Sequence, residues 1–213
     1  MPTETSDLSH WGKSGSGTSW FMGIGINDYG HFPRLRNAVK DMADVKSVLC
    51  EKYDISQDHI LTLVNEEANE DNIIMNFEKL ARETKPEDKV IIFYSGHGHL
   101  NKLNPKNNLG YWIPIDGQPG RSSTFIPNST IKNYIGAITA RHILLISDSC
   151  FSGSLFSKGA SRSTRAMDEL ESIPSRWALC SGRHDEEVYD GAPGSNSPFT
   201  KSLLDVLSSN QRD

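Results

Sequence analysis

Apolar positions along this chain alternate between short unbroken runs and stretches in which they return every third or fourth residue. Residues 20–26 (WFMGIGI), 59–64 (HILTLV), 89–94 (KVIIFY), 142–146 (HILLI) and 177–180 (WALC) are runs of strand length. Runs that stay apolar without alternating suit strands covered on both faces, the habit of parallel sheets. Between them, Ala38, Met42, Val45, Val48 and Leu49 mark one face of a helix over residues 37–52. Ile73, Ile74, Phe77 and Leu80 mark another over 70–84, and Pro86 follows its end. A short strand at 111–115 and helices at 129–139 and 198–207 complete the predicted set. This β-α-β-α order predicts an α/β fold of three layers, a mostly parallel central sheet flanked by helices.

The intervening polar stretches refine that picture. Residues 96–109 and 151–172 hold few apolar positions and read as long surface loops, which in a compact domain are usually functional or disordered. The first 18 residues are rich in Ser, Thr and Gly, with neither a basic start nor an apolar stretch, so they read as a flexible tail rather than a secretory signal. With 36% hydrophobic and 23% charged residues, the remainder of this 213-residue chain has the make-up of an ordinary globular domain. Its net charge of -5 offers no basic footprint for nucleic acid. No apolar run approaches the roughly 20 residues of a membrane span. The three cysteines, Cys50, Cys150 and Cys180, have no metal-like spacing and fit a reducing compartment, so the chain is expected in the cytoplasm.

Candidate chemistry gathers at two strand ends. The run 89–94 leads into Ser95-Gly96-His97-Gly98, and the run 142–146 leads into Ser147-Asp148-Ser149-Cys150-Phe151-Ser152-Gly153. Open parallel sheets bind their ligands beyond the carboxyl ends of the strands. An imidazole beside a thiol raises the thiolate fraction, and the thiolate is the nucleophile. The flanking glycines allow sharp turns and close approach of a substrate, and their amides are candidate oxyanion donors. Singly, each motif has a plainer reading: a small buried hydrophobe for Cys150, a turn residue for His97. Their order, spacing and shared placement favour a catalytic pair.

SGHGH at 95–99 and DSCFSG at 148–153 resemble the His and Cys boxes of the caspase-like peptidases, nearest to the metacaspase and bacterial caspase-homologue branch. FMGIGINDYGHFPRLRNAVKDMADV is similar to that family's first strand, loop and helix, and WALCSGRHDEEVYDG and SPFTKSLLDVL are similar to its C-terminal portion. The resemblance implies a caspase-hemoglobinase-like fold over residues 19–213, with a large portion over about 19–157, a linker over about 158–172 and a small portion over about 173–213. It implies that Cys150 attacks the scissile carbonyl, that His97 is the acid/base, and that the amides of Gly98 and Cys150 form the oxyanion hole. His99 is the alternative histidine, expected as a loop residue. Cys50 and Cys180 match no catalytic position and are expected in the core.

Specificity follows from Asp148, two residues before the nucleophile, where aspartate-specific caspases carry Gln. The resemblance places Asp41, Ser95 and Asp148 around the pocket, with Asp44 the fallback for Asp41. An acidic floor favours Arg or Lys before the scissile bond and rejects Asp or Glu. Lys158, Arg162 and Arg165 in the 151–172 loop would then be sites of self-cleavage. Many metacaspases use calcium, which wants six to eight oxygens. Here Asn128 and Ser129 stand where adjacent carboxylates are expected and Asp116 is isolated, so neither a metal nor another cofactor is expected. The expected partners are proteins or peptides with Arg or Lys before the cut, not nucleic acid or membrane, and a further sensor or regulatory domain or subunit. The competing readings are a silent caspase-like scaffold or regulator, and another cysteine hydrolase or transpeptidase with the same dyad.

Overall fold

The structure is a computed structural model that describes residues 17–104, 107–149, 174–182 and 190–209. Its central sheet holds β1 (Ser19–Gly25), β2 (Ile60–Val64), β3 (Lys89–Ser95), β7 (His142–Asp148) and β8 (Ser175–Cys180) in the order β2-β1-β3-β7-β8. Every pairing in it is parallel. A second sheet is antiparallel, with β4 (Gly98–Asn104), β5 (Asn107–Trp112) and β6 (Ile126–Pro127) side by side. Four α-helices are described: α1 (Ala38–Lys52), α2 (Glu70–Glu83), α3 (Asn128–Ala137) and α4 (Pro198–Ser209). The three-layer α/β fold expected from the apolar pattern is therefore the one observed.

Side-chain alternation along the strands sorts the core into two layers. Trp20, Met22 and Ile24 of β1, Val90, Ile92 and Tyr94 of β3, and Ile143 and Leu145 of β7 face α2 and α3, where Ile73, Phe77, Leu80 and Ile131 are buried. Phe21, Phe93 and Ile146 face the other way, onto Met42, Val45 and Leu49 of α1 and onto Phe199, Leu203 and Leu207 of α4. By the same alternation Ser95 and Asp148 close the α1–α4 layer at the carboxyl ends of β3 and β7. They stand level in the register, Gly25 beside Ser95 and Ser95 beside Asp148.

Helix α1 lies unusually close to β1. A Cβ on Gly25 would meet the Ala38 carbonyl oxygen and the Val39 Cα at 2.9 Å each, both backbone atoms of the helix. The buried stripe of α1 reads Ala38, Asp41, Met42, Val45, Leu49, so a carboxylate sits in an apolar helix face. Cys50, expected in the core, falls outside that stripe and is half-buried beside Gln57, whereas Cys180 does pack against the core. Thr18, within the expected tail, is tied to the sheet: its N–H donates to Asp88 at 2.8 Å and its carbonyl accepts from Lys89 at 2.9 Å.

One predicted loop is a strand pair. Residues 96–109 hold β4 and the start of β5, joined by a ladder from Gly98–Trp112 to Asn104–Asn107. This hairpin is built from polar residues, so no apolar alternation announces it; its ladder is supported where Leu100, Tyr111 and Trp112 are buried. The expected strand at 111–115 is in consequence shifted to Asn107–Trp112. The Trp112 ring stacks on Tyr94 of β3 with centroids 4.1 Å apart and planes 3° from parallel, fastening the small sheet to the large one.

Candidate active site

His97 follows β3 by two residues, and its main chain is held by two phenols. The Tyr29 hydroxyl accepts the His97 N–H at 2.9 Å and donates to the Ile113 carbonyl at 2.9 Å. The Tyr94 hydroxyl donates to the His97 carbonyl at 2.7 Å. Gly96 makes room for both: a Cβ there would lie 2.8 Å from each hydroxyl. The glycine before the histidine is thus explained by tyrosines beneath the loop rather than by a substrate above it. The His97 ring lies against Tyr29 and Phe32, with centroids 4.7 Å and 5.9 Å away.

The imidazole is held in one tautomer. Nε2 stands 2.7 Å from the Pro33 carbonyl oxygen. A carbonyl oxygen only accepts, so Nε2 carries the proton and Nδ1 keeps a lone pair. Burial lowers the pKa of His97 from its ordinary value, opposed by the Pro33 bond and the charge of Asp190. The ring is therefore a neutral base at neutral pH, with Nδ1 the nitrogen able to accept a proton. The loop that carries Tyr29, Phe32 and Pro33 is itself staked by Asn65, whose side-chain oxygen accepts from the Asn27 and Asp28 amides at 2.8 and 3.2 Å.

On the α1–α4 side lie the predicted pocket residues. Asp41 and Asp148 are 1% and 5% exposed and Ser95 is 4% exposed. Asp41 Oδ1 accepts from the Asn196 side chain at 2.9 Å and from the Ser197 N–H at 3.1 Å. Asp148 Oδ2 accepts from the Ser197 hydroxyl and, at 2.9 Å, from the Thr200 hydroxyl. Asp148 Oδ1 is buried and has no hydrogen-bond partner among the described residues. Desolvation raises the Asp41 pKa to about 6, against the bonds from Asn196 and Ser197 that lower it; the charges of Asp148 and Asp190 raise it further. Asp44, the fallback, is half-buried, pairs with Lys40 and accepts from the Asn196 side chain at 2.8 Å, but Asp41 is the carboxylate that shares Ser197 with Asp148.

The segment that brings Asn196 and Ser197 here is clamped to the start of α1. The Asp190 carboxylate accepts from the Arg36 and Asn37 amides, and the Asn37 side chain donates to the Asp190 and Ala192 carbonyls at 2.6 and 3.0 Å. Of the other expected site residues, Gly98 opens β4 opposite Trp112. His99, expected in a loop, is a β4 residue; its ring centroid is 5.5 Å from that of Phe125 and 6.2 Å from that of Tyr111. Cys150, Lys158, Arg162 and Arg165 lie outside the described residues. So do the whole 151–172 loop and the 158–172 linker within it. Ser149, the residue before Cys150, is buried, with its hydroxyl 3.0 Å from that of Ser147.

In the region where calcium was considered, Asn128 is buried at the start of α3 and Asp116 accepts from the Glu70 amide at 3.2 Å. Among the described residues no three His, Cys, Asp or Glu side chains converge as a metal-holding group. Among them, too, no helix is long and apolar enough to cross a membrane.

A family model described as the caspase domain matches residues 20–213. The chain belongs to the caspase family. Metacaspase-1 of Plasmodium falciparum is 27% identical over 207 residues, which is 88% of this chain and 34% of that protein. Metacaspase-1 of Meyerozyma guilliermondii is 27% identical over 123 residues, 53% of this chain and 30% of that protein. The chain thus spans about a third of the length of these curated relatives. A crystal structure of a Geobacter sulfurreducens protein shares the fold, with a TM-score of 0.66 at 20% identity over 90% of this chain and 82% of that one. This is a caspase-like domain of the cysteine-peptidase type, on the metacaspase branch.

Participants not singled out from the sequence include Tyr29, Pro33, Asp190, Asn196 and Ser197. Ser197 alone carried a local signal, because Ser followed by Pro before an apolar helical pattern marks a helix start. The others act from loops through backbone groups or across more than 60 residues of chain.

Proposed function

We propose that this domain is a cysteine endopeptidase that uses His97 and Cys150 and cleaves after Arg or Lys. The observation that carries the specificity is the pair of buried carboxylates, Asp41 and Asp148, in one cradle with Asp148 Oδ1 unpartnered. Buried polar atoms are nearly always hydrogen-bonded, and a cationic side chain would supply the missing donor. An Asp or Glu side chain would instead add a third negative charge, which the site rejects by Coulomb repulsion.

In this reading His97 Nδ1 takes the thiol proton of Cys150 as Sγ attacks the scissile carbonyl carbon. The amides of Gly98 and Cys150 receive the oxyanion. His97 then gives the proton from Nδ1 to the leaving amine, the C–N bond breaks, and a thioester remains on Cys150. Water, deprotonated by the same nitrogen, hydrolyses the thioester and restores the thiol. The Pro33 carbonyl supports this role because it fixes the tautomer and steadies the imidazolium that forms between steps. The sparse cysteines, without metal-like spacing, support a reducing, cytoplasmic setting.

The test is a panel of fluorogenic peptides ending in Arg, Lys, Asp or Leu, each with calcium and with a chelator. We expect Arg and Lys peptides to be cut at least 100-fold faster than Asp peptides, as about 3 kcal/mol of charge discrimination requires. Cys150→Ala should abolish turnover, and the chelator should leave it unchanged. Faster cutting of Asp peptides would refute the pocket assignment, and restoration of lost activity by calcium would refute metal independence.

A further inference from the structure

We propose that Ser197, backed by Thr200, is a specificity-determining positioning residue: it fixes one oxygen of Asp148 so that the other is presented to the substrate's cation. This rests on the reading that the pocket takes Arg or Lys.

The residue does two jobs with one hydroxyl. Ser197 precedes Pro198, the first residue of α4, and its Oγ accepts the Thr200 N–H at 2.9 Å, which is the geometry of an N-cap. An oxygen that accepts in a cap still has its proton to give, and that proton goes to Asp148 Oδ2. The Thr200 hydroxyl, fully buried, donates to the same oxygen at 2.9 Å. Oδ2 therefore has two donors and lies at the amino end of α4, where the helix dipole favours an anion. Oδ1 has none. With Oδ2 anchored, the carboxylate cannot rotate about its χ2 bond to share its oxygens between partners. Ser197 also holds the second carboxylate, since its own N–H donates to Asp41 Oδ1 at 3.1 Å.

The two acids thereby receive different tasks. Asp41 Oδ1 is committed to Asn196 and Ser197, and Oδ2 has only a long contact of 3.4 Å with the Ser197 amide. Asp148 Oδ1 is the oxygen left to accept a directed hydrogen bond, and Asp41 contributes chiefly as a nearby charge. Without the Ser197 hydroxyl, Asp148 would lose one of two anchors and turn Oδ1 toward the freed cap of α4. The carboxylates would remain, but the aim would be lost.

The experiment uses the full chain as wild type, Ser197→Ala, Ser197→Thr and Thr200→Val. Three quantities are measured: kcat and KM on Arg-ending and Leu-ending peptides, the rate of Cys150 alkylation by iodoacetamide, and thermal melting. We expect Ser197→Ala to lower the Arg-to-Leu ratio of kcat/KM about tenfold, mainly through KM on the Arg peptide. Thr200→Val should lower it less, and Ser197→Thr should restore it to within about threefold of wild type. Alkylation of Cys150, which needs no pocket cation, should keep its wild-type rate in all of them. The proposal is overturned if Ser197→Ala keeps the ratio within twofold, if the threonine fails to rescue it, or if alkylation falls in step with peptide cleavage. A wild type with no preference for Arg or Lys over Leu would overturn the basic-residue reading itself, and that arm is read before any variant.

Discussion

Asp41 is the residue whose ionisation couples the pocket to the stability of the domain. In the folded protein it gives up its proton near pH 6, and in the unfolded chain near the ordinary 3.8. Between those values the folded form binds the extra proton, so the contribution of Asp41 to stability is greatest below about pH 4 and declines as pH rises to about 6. Asp41→Asn removes that cost. We expect the variant to melt about 2–4 °C above wild type at pH 8 and level with it at pH 4, while losing activity on Arg peptides. A lower melting temperature at pH 8 would contradict the burial argument. His97 titrates in the opposite sense. Its lowered pKa contributes stability above the ordinary histidine value that is lost as pH falls below it, and keeps the base unprotonated in that range. Tyr29 holds this base by its backbone, so Tyr29→Phe should reduce kcat about tenfold, as about 1.4 kcal/mol of lost hydrogen bonding implies, with KM little changed. Stopped-flow kinetics on one Arg peptide would check it. At this scale the strand-end placement of His97 was legible from its glycine-flanked box, whereas Asp41 came from the family resemblance with Asp44 as the fallback, and burial in the stripe of Ala38, Met42 and Val45 is what sets Asp41 apart. Pro33 was not, because it acts through a carbonyl that any residue possesses.

Helices and strands set how precisely these residues are aimed. Strand β1 offers Gly23 and Gly25 to α1, and the helix backbone approaches Gly25 until no methyl group fits. Gly25→Ala must push the helix away from the sheet. The expected cost is about 1–3 kcal/mol, seen as a lower urea midpoint with an unchanged slope. Because Asp41 rides on the first turn of that helix, the activity on Arg peptides should fall with the stability. Elements buried on both faces were readable as apolar runs, and β1, β3 and β7 begin within a residue of their predicted starts. The β4–β5 hairpin was not readable. Asn101, Lys102, Asn104 and Asn107 give no alternation, and an antiparallel ladder held by backbone groups leaves no mark in side-chain pattern. The two-residue β6 is too short to have any.

For the whole molecule, the arrangement is a parallel sheet whose carboxyl ends carry the His97 imidazole on one side and the buried Asp41 and Asp148 carboxylates on the other. Its fold class was written in the order of elements, but the meeting of the 190–197 segment with α1 and β7 was not, since it joins Asn196 to Asp41 across 155 positions and Ser197 to Asp148 across 49. If the pocket prefers basic residues, the chain's own Lys158, Arg162 and Arg165 are substrates. Wild-type protein held at 25 °C should then yield fragments ending at one or more of them by intact-mass spectrometry, and Cys150→Ala should stay whole. The same fragments from both proteins would assign the cuts to a contaminant. The Tyr94–Trp112 stack has one more consequence, an optical one. The Tyr94 hydroxyl grips the His97 carbonyl, and the buried Trp112 ring lies flat against the Tyr94 ring with an indole N–H that has no hydrogen-bond partner among the described residues. A shift of the histidine loop must disturb that ring's surroundings. In a variant that keeps Trp112 as its single tryptophan, with Trp11, Trp20 and Trp177 replaced, ultraviolet emission would therefore report on the His97 loop from within, with no dye attached.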